Sequence, residues 1–187
     1  MINKEKLENN LPHYPFGELG KVQMEIRTKL YEYNNTFHLN ENNEKKFSNI
    51  IKSFGKNSNV LAPFTCDYGF NITIGENSFI NYGAKLLDTS AITIGNQVFI
   101  GPNFSAYTPI HPTEYEDRNT YIEWGKPITI QDNVWIGGSV TILPGVTIGS
   151  GSVIGAGSVV TKDIPCNVLA FGNPCKVQKS IDNDVKK

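Results

Sequence analysis

A chain of 187 residues with 39% hydrophobic content is long enough for one domain with a substantial core, and leaves room for only a small appendage. Its formal net charge of −1 argues against the global basic field on which nucleic-acid binding rests, and no apolar run approaches the roughly 18–20 residues needed to span a bilayer. The opening MINKEKLENN lacks the apolar stretch of a secretory signal, and the three cysteines (Cys66, Cys166, Cys175) match no zinc spacing, so the expectation is a cytoplasmic protein with reduced thiols and no nucleic-acid or membrane partner.

Residues 1–20 carry Pro12, Pro15, Gly17 and Gly20, which disfavour long regular structure. Val22, Ile26, Leu30 and Tyr33 recur at helical spacing and predict a helix over 21–34. The Asn-rich stretch 35–43 reads as a turn. Phe47, Ile50, Ile51 and Phe54 then predict a second helix from about Glu41 to Phe54, stopped by Gly55. These helices make an N-terminal segment, 1–58, whose apolar stripes need the end or flank of the next domain to pack on.

From 59 to 187 the pattern changes. Ile130, Ile136, Ile142, Ile148, Ile154 and Val160 fall six residues apart, and Gly137, Gly149 and Gly155 directly follow three of them. The same beat appears in Ile74, Ile80 and Leu86, and again in Ile94, Ile100 and Ala106. Neither a helix nor an ordinary strand has this period. A solenoid does, because each aliphatic side chain points to the axis and stacked coils bury one apolar column. Three hexads make a triangular turn, which gives about five coils and a prism roughly 20–25 Å tall. Ala62 and Tyr68 would precede Ile74 in an irregular first coil. Frame shifts of two at Ile92/Ile94 and Ile128/Ile130 read as corner insertions that preserve the inward alternation. The glycines are expected to permit tight corners.

The repeat stops over 107–127. This excursion holds His111, the one histidine of the solenoid region, with Glu114, Glu116, Asp117, Arg118, Glu123 and Trp124. A long excursion from a rigid scaffold is where chemistry is usually placed. Pro112 restrains His111 to extended backbone, which helps to hold the ring in one direction. A solvated loop with an incidental histidine is the competing reading of the same residues.

The phrases CDYGFNITIGENSFIN, TIGNQVFIGPN, IHP, WGKPITIQDNVWIGG, LPGVTIGSGSVIGAGSVVTKDIP and GNPCKV resemble the maltose/galactoside O-acetyltransferase family of hexapeptide-repeat acyltransferases, over about residues 21–181. The resemblance implies a mainly β fold, a left-handed parallel β-helix, assembled as a homotrimer with active sites between neighbouring prisms. It implies transfer of acetyl from acetyl-CoA, without a metal, to a hydroxyl of a sugar or glycoside in a ternary complex. On the matching positions His111 is the general base and Asn81 stabilises the oxyanion. Asp67 and Asp88 lie near the acceptor, and Tyr14 aligns where close relatives carry an acidic residue. Glu123 either orients the imidazole or binds the acceptor. Gly138, Ala156, Thr161, Lys162, Lys176 and Lys179 follow the CoA path, with Trp135 beside it or at an interface. Thr89 departs from the family pattern, in which many relatives have a second acid.

Three other readings stand beside this one. A xenobiotic or amino-sugar acetyltransferase would use the same fold. A non-catalytic β-helix would explain the repeat but not the histidine. A carbonic-anhydrase-type metal enzyme would need three histidines, and His13 and His38 lie in the N-terminal segment. Cys66 as a covalent nucleophile is the minor alternative to direct attack.

Overall fold

The computed structural model describes residues 2–36 and 42–182. Its body is a prism of short parallel strands, in which each coil gives one strand to each of three sheets. The first sheet stacks Ser53–Phe54, Ile72–Ile74, Ile92–Ile94, Ile128–Ile130 and Thr147–Ile148. The second stacks Asn59–Val60, Phe79–Ile80, Phe99–Ile100, Trp135–Ile136, Val153–Ile154 and Val168–Gly172, with Cys175–Ser180 added antiparallel at its far edge. The third stacks Phe64–Cys66, Ala84–Leu87, Ser105–Tyr107, Thr141–Ile142 and Val159–Val160. Five complete coils and a partial sixth result.

The six-residue beat becomes three axial columns in register. One is Ile74, Ile94, Ile130 and Ile148, extended by the bridge from Ile148 to Ile164. The second is Val60, Ile80, Ile100, Ile136, Ile154 and Ala170. The third is Cys66, Leu86, Ala106, Ile142 and Val160. All are buried, and each of the larger aliphatics contributes about 1.5–3 kcal/mol relative to an exposed position. Buried serines two residues before an inward aliphatic satisfy the corner carbonyls. Ser58 donates to Gly75, Ser78 to Gly95 and Ser152 to Pro165, at 2.6, 2.9 and 2.7 Å. A polar side chain is tolerated there because it replaces a water-bonded carbonyl contact with an internal one.

Three expectations are corrected by this arrangement. The second helix ends at Ser48, and Ser53–Phe54 is already the first strand of the solenoid, paired with Thr73 and Ile74. Its backbone is satisfied by the next coil, so no further helical turn is needed; the expected start at Glu41 lies outside the described residues. The first coil therefore points Val60 and Cys66 inward rather than Ala62 and Tyr68, because the two-residue shift also occurs at Ile72/Ile74. Finally, the glycines after the aliphatic positions serve close stacking rather than turning. A Cβ on Gly137 would lie 2.6 Å from the Ala156 nitrogen in the next coil. Left-handed backbone falls instead three residues before the inward position, at Asn77, Gln97 and Asn133 with φ of 55°, 54° and 59°.

The helices cap the open end. α1 (Asn3–Glu8) packs Leu7 with Leu19 and Tyr68. α2 (Glu18–Asn34) and α3 (Asn42–Ser48) cover the first coil with Ile26, Leu30, Tyr33 and Phe47. The Asn34 amide donates to the Phe64 carbonyl and accepts from the Phe64 N–H, both at 2.9 Å, and the Tyr33 hydroxyl donates to the Val60 carbonyl. Strand groups that would otherwise be an exposed sheet edge are thereby paired. The excursion leaves the third coil and returns to the fourth as a two-stranded stem, Pro109–Ile110 against Trp124–Gly125, with a helical turn at Tyr115–Arg118 between them.

Candidate active site

His111 follows the outgoing strand of that stem, and its side chain is 48% exposed. Its Nδ1 faces the Ile122 carbonyl at 3.4 Å. A carbonyl can only accept, so a neutral ring that makes this contact carries its proton on Nδ1 and presents Nε2 as the lone-pair nitrogen. Glu123 lies between two histidines. Its Oε2 is 3.8 Å from His111 Nε2, and its Oε1 is 3.5 Å from Nε2 of His13, a residue with no exposed surface. His13 and Glu123 also exchange both backbone hydrogen bonds, at 2.9 and 3.0 Å, so the N-terminal segment is stitched to the excursion. Phe16 adds an edge-to-face contact with Tyr121, at 5.5 Å between ring centroids.

The stitching borders an open cavity of about 760 Å³ beside His111. Phe16, Gln23 and Arg27 line it from the N-terminal segment and α2. Asp67, Leu87, Thr89 and Tyr107 line it from the prism, and His111 and Glu123 close it. A second hollow of about 600 Å³ opens on the other side of His111, lined by Tyr14 and Trp124 among others.

Burial, then the neighbouring Asp88 and Glu123, push the Asp67 carboxyl up to about 7 against the opposing pull of Arg27. Burial pushes Asp88 up to about 6, against three backbone amides that favour its charged form. Both folded values lie above the unfolded value near 4. The stabilisation is therefore fully present below about pH 4 and is lost as pH rises through 6–7. Thermal unfolding is expected at a higher temperature at pH 5 than at pH 8. Asp67→Asn, which cannot ionise, is expected to stabilise the protein at pH 8 by on the order of 1–3 kcal/mol and to flatten this pH dependence. An unchanged melting profile across that range would contradict the assignment.

A model of the bacterial hexapeptide transferases (six repeats) matches residues 127–162. A maltose O-acetyltransferase from Clostridium difficile 630 superposes with a TM-score of 0.95 at 45% identity, over 98% of this chain and 99% of that one. A galactoside acetyltransferase solved with coenzyme A superposes with a TM-score of 0.92 at 37% identity, over 98% and 93%. A hexapeptide-repeat acetyltransferase from Vibrio cholerae, solved with acetyl coenzyme A, gives 0.90 at 35%, over 98% and 100%. The chain belongs to the maltose/galactoside O-acetyltransferase family. It is an acyltransferase.

Against that family, the structure sorts the expected site residues by edge of the prism. His111, Glu123 and Asp67 come together around the cavity. Asp88 does not reach it. Its side chain is buried, and its carboxylate accepts from the backbone N–H groups of Asp67, Tyr68 and Asn71, so it shapes the turn that presents Asp67. Tyr14 lines the second hollow instead, 39% exposed, because the chain turns at His13 before reaching the cavity at Pro15. Thr161 and Lys162 follow Val160 and are exposed at the third-sheet edge, two coils beyond Tyr107.

A different edge carries Asn81, Gly138 and Ala156. The N–H of Asn81 donates to Ile100, that of Gly101 to Ile136, and that of Gly137 to Ile154, so these corners stack directly. Asn81 Oδ1 accepts from Tyr82 N–H at 2.8 Å. Trp135, 59% exposed, stands on the outer face of the adjoining sheet, in register with Phe99 and Val153. Lys176 and Lys179 are exposed on the terminal antiparallel strand. Cys66 lies in the third axial column, and burial holds its thiol far above the ordinary range, so it is a core residue without nucleophilic character.

Sequence reasoning missed His13, Gln23, Arg27 and Tyr107. His13 carried no local signal, since the residue that precedes a proline there is Tyr14. Among the described residues, no helix is long and apolar enough to cross a membrane, and no group of three or more His, Cys, Asp or Glu side chains could hold a metal ion. His38 lies outside the described residues.

Proposed function

We propose that this enzyme transfers acetyl from acetyl-CoA to a hydroxyl of a sugar or glycoside, by direct attack in a ternary complex in the cytoplasm, with His111 as general base. The observation that carries the reading is the half-exposed His111 imidazole at the edge of an open cavity lined by polar side chains. Asp67, Gln23, Arg27 and Thr89 offer donors and acceptors to vicinal hydroxyls, and Phe16 and Tyr107 offer apolar faces to a sugar ring. A hydroxyl is a poor nucleophile at neutral pH, so a base must take its proton as it attacks the thioester carbonyl. The proton passes from the acceptor oxygen to His111 Nε2, and CoA leaves as the thiol.

The relatives solved with CoA or acetyl-CoA support the same donor here. The residues present fit it. Gly138 and Ala156 leave a low edge with accessible backbone groups for pantetheine amides, and Lys162, Lys176 and Lys179 supply charge toward phosphates. Asn81 stands on that edge rather than beside its own chain's His111. The complete site then joins one prism's His111 to a second copy's Asn81 in a homotrimer, with the outward Phe99 and Trp135 next to the contact.

A second reading, acetylation of an amino sugar or another aminated acceptor, is favoured by the carboxylates of Asp67 and Glu123 at the cavity. Thiol release from acetyl-CoA, measured across sugars, glycosides, amino sugars and hydroxylated antibiotics, separates the two. Turnover on neutral sugars is expected. Exclusive turnover on amines would favour the second reading, and failure of CoA to bind in calorimetry would overturn the proposal as a whole.

A further inference from the structure

Glu123 is flanked by two imidazoles, and only one of them faces the cavity. The other, His13, is fully buried, and its ring is hemmed in by two acceptors. Nδ1 lies 2.9 Å from the Leu11 carbonyl, and Nε2 lies 3.5 Å from Glu123 Oε1. A carbonyl accepts only, so Nδ1 must carry a proton. Nε2 has no hydrogen-bond partner among the described residues, and the Glu123 carboxylate is the polar group that faces it.

We propose that His13 is a positioning residue for the base: held between the Leu11 carbonyl and Glu123, it fixes the carboxylate whose second oxygen faces His111. This role rests on the reading of His111 as the base. The groups that face Glu123 are His13, His111, Asp67 and Tyr68, with Arg27 acting on Asp67 from α2. Of these, His13 also joins Glu123 through both backbone hydrogen bonds, at 2.9 and 3.0 Å, and so keeps the carboxylate aimed at His111. When His111 takes the acceptor proton, its new Nε2–H⁺ meets a carboxylate already in place. The same residue ties the cavity wall to the base, because Pro15 and Phe16 follow it directly and His13 pairs with Glu123 through the backbone.

The chain contains three histidines, so ¹⁵N-histidine labelling resolves the question without any acceptor. Long-range ¹H–¹⁵N spectra of the intact protein are expected to show His13 Nδ1 carrying a hydrogen-bonded proton, and Glu123→Gln is expected to shift the His13 Nε2 resonance while leaving Nδ1 in place. A His13 without a proton on Nδ1, or an Nε2 resonance that Glu123→Gln leaves unmoved, overturns the proposal. Two substitutions separate positioning from packing. Asn at position 13 can keep the bond to Leu11 but cannot reach Glu123, whereas Gln can donate toward Glu123. His13→Asn is expected to lower kcat about 10–100-fold with KM for acetyl-CoA unchanged, and His13→Gln to recover much of that loss. His13→Asn combined with Glu123→Gln is expected to be no slower than the slower single variant, because the two act as one unit. Equal activity of the Asn and Gln variants overturns the positioning role. A His13 Nε2 resonance that responds to Glu123→Gln in a protein that acetylates no acceptor would instead fault the functional reading and leave the buried pair standing.

Discussion

Replacing His111 with Ala is expected to lower kcat by about 10²–10⁴-fold, the usual contribution of a positioned general base and equivalent to about 3–5 kcal/mol of barrier. The KM for acetyl-CoA is expected to change little, because the edge assigned to the donor carries Gly138 and Ala156 rather than His111. The protein should remain folded. The side chain is 48% exposed, and its one hydrogen bond is the long contact to the Ile122 carbonyl, so the stability change should stay within about 0.5 kcal/mol. His111→Asn sharpens the test, since its amide can still donate to Ile122 yet cannot accept a proton. Thiol-release kinetics with a confirmed acceptor should find both variants comparably slow. Near-normal turnover in either would remove His111 from the mechanism.

Ile136→Ala is expected to cost about 2–5 kcal/mol, which lowers the melting temperature of a chain this size by roughly 5–15 °C. Ile136 has no exposed surface and is stacked in register between Ile100 and Ile154 in the middle of its column. Neighbouring coils cannot close over the missing atoms. Their spacing is set by backbone hydrogen bonds such as Gly137 N–H to Ile154 at 2.8 Å, and the contact at Gly137 is already too close for a Cβ. A solenoid has contacts only between adjacent coils, so a cavity in the fourth coil weakens the link between the halves above and below it. Lys85→Ala, at an outward position one coil from the end-capping helices, should change stability by less than about 0.5 kcal/mol. Urea or thermal unfolding of the two variants measures the contrast directly.

The repeat, the excursion and the histidine it carries were legible because each has a local signature. A period of six has one structural solution, and His111 stands where that period fails. The shift at Ile72/Ile74 was harder to read, since a phrase shared with two other corners had to be recognised before the first coil could be framed. The inward Val60 and Cys66 followed only from the pairing of Ser53–Phe54 with the second coil.

The cavity was legible in part. Asp67 and Glu123 could be marked as candidates from the chain, but not the burial that drives Asp67 up to about 7 or the saturation of Asp88 by three backbone amides. His13 is separated from Glu123 by 110 residues, and no local pattern connects them. By itself, the sequence determined the solenoid, its interruption and the family, because hydrophobic period and motif spacing are short-range quantities written along the chain. Tertiary structure alone decided which residues share the cavity, which edge carries Asn81, and that a buried histidine stands behind Glu123. Those are long-range juxtapositions, created when the N-terminal segment folds back over the first coil and pairs with the excursion.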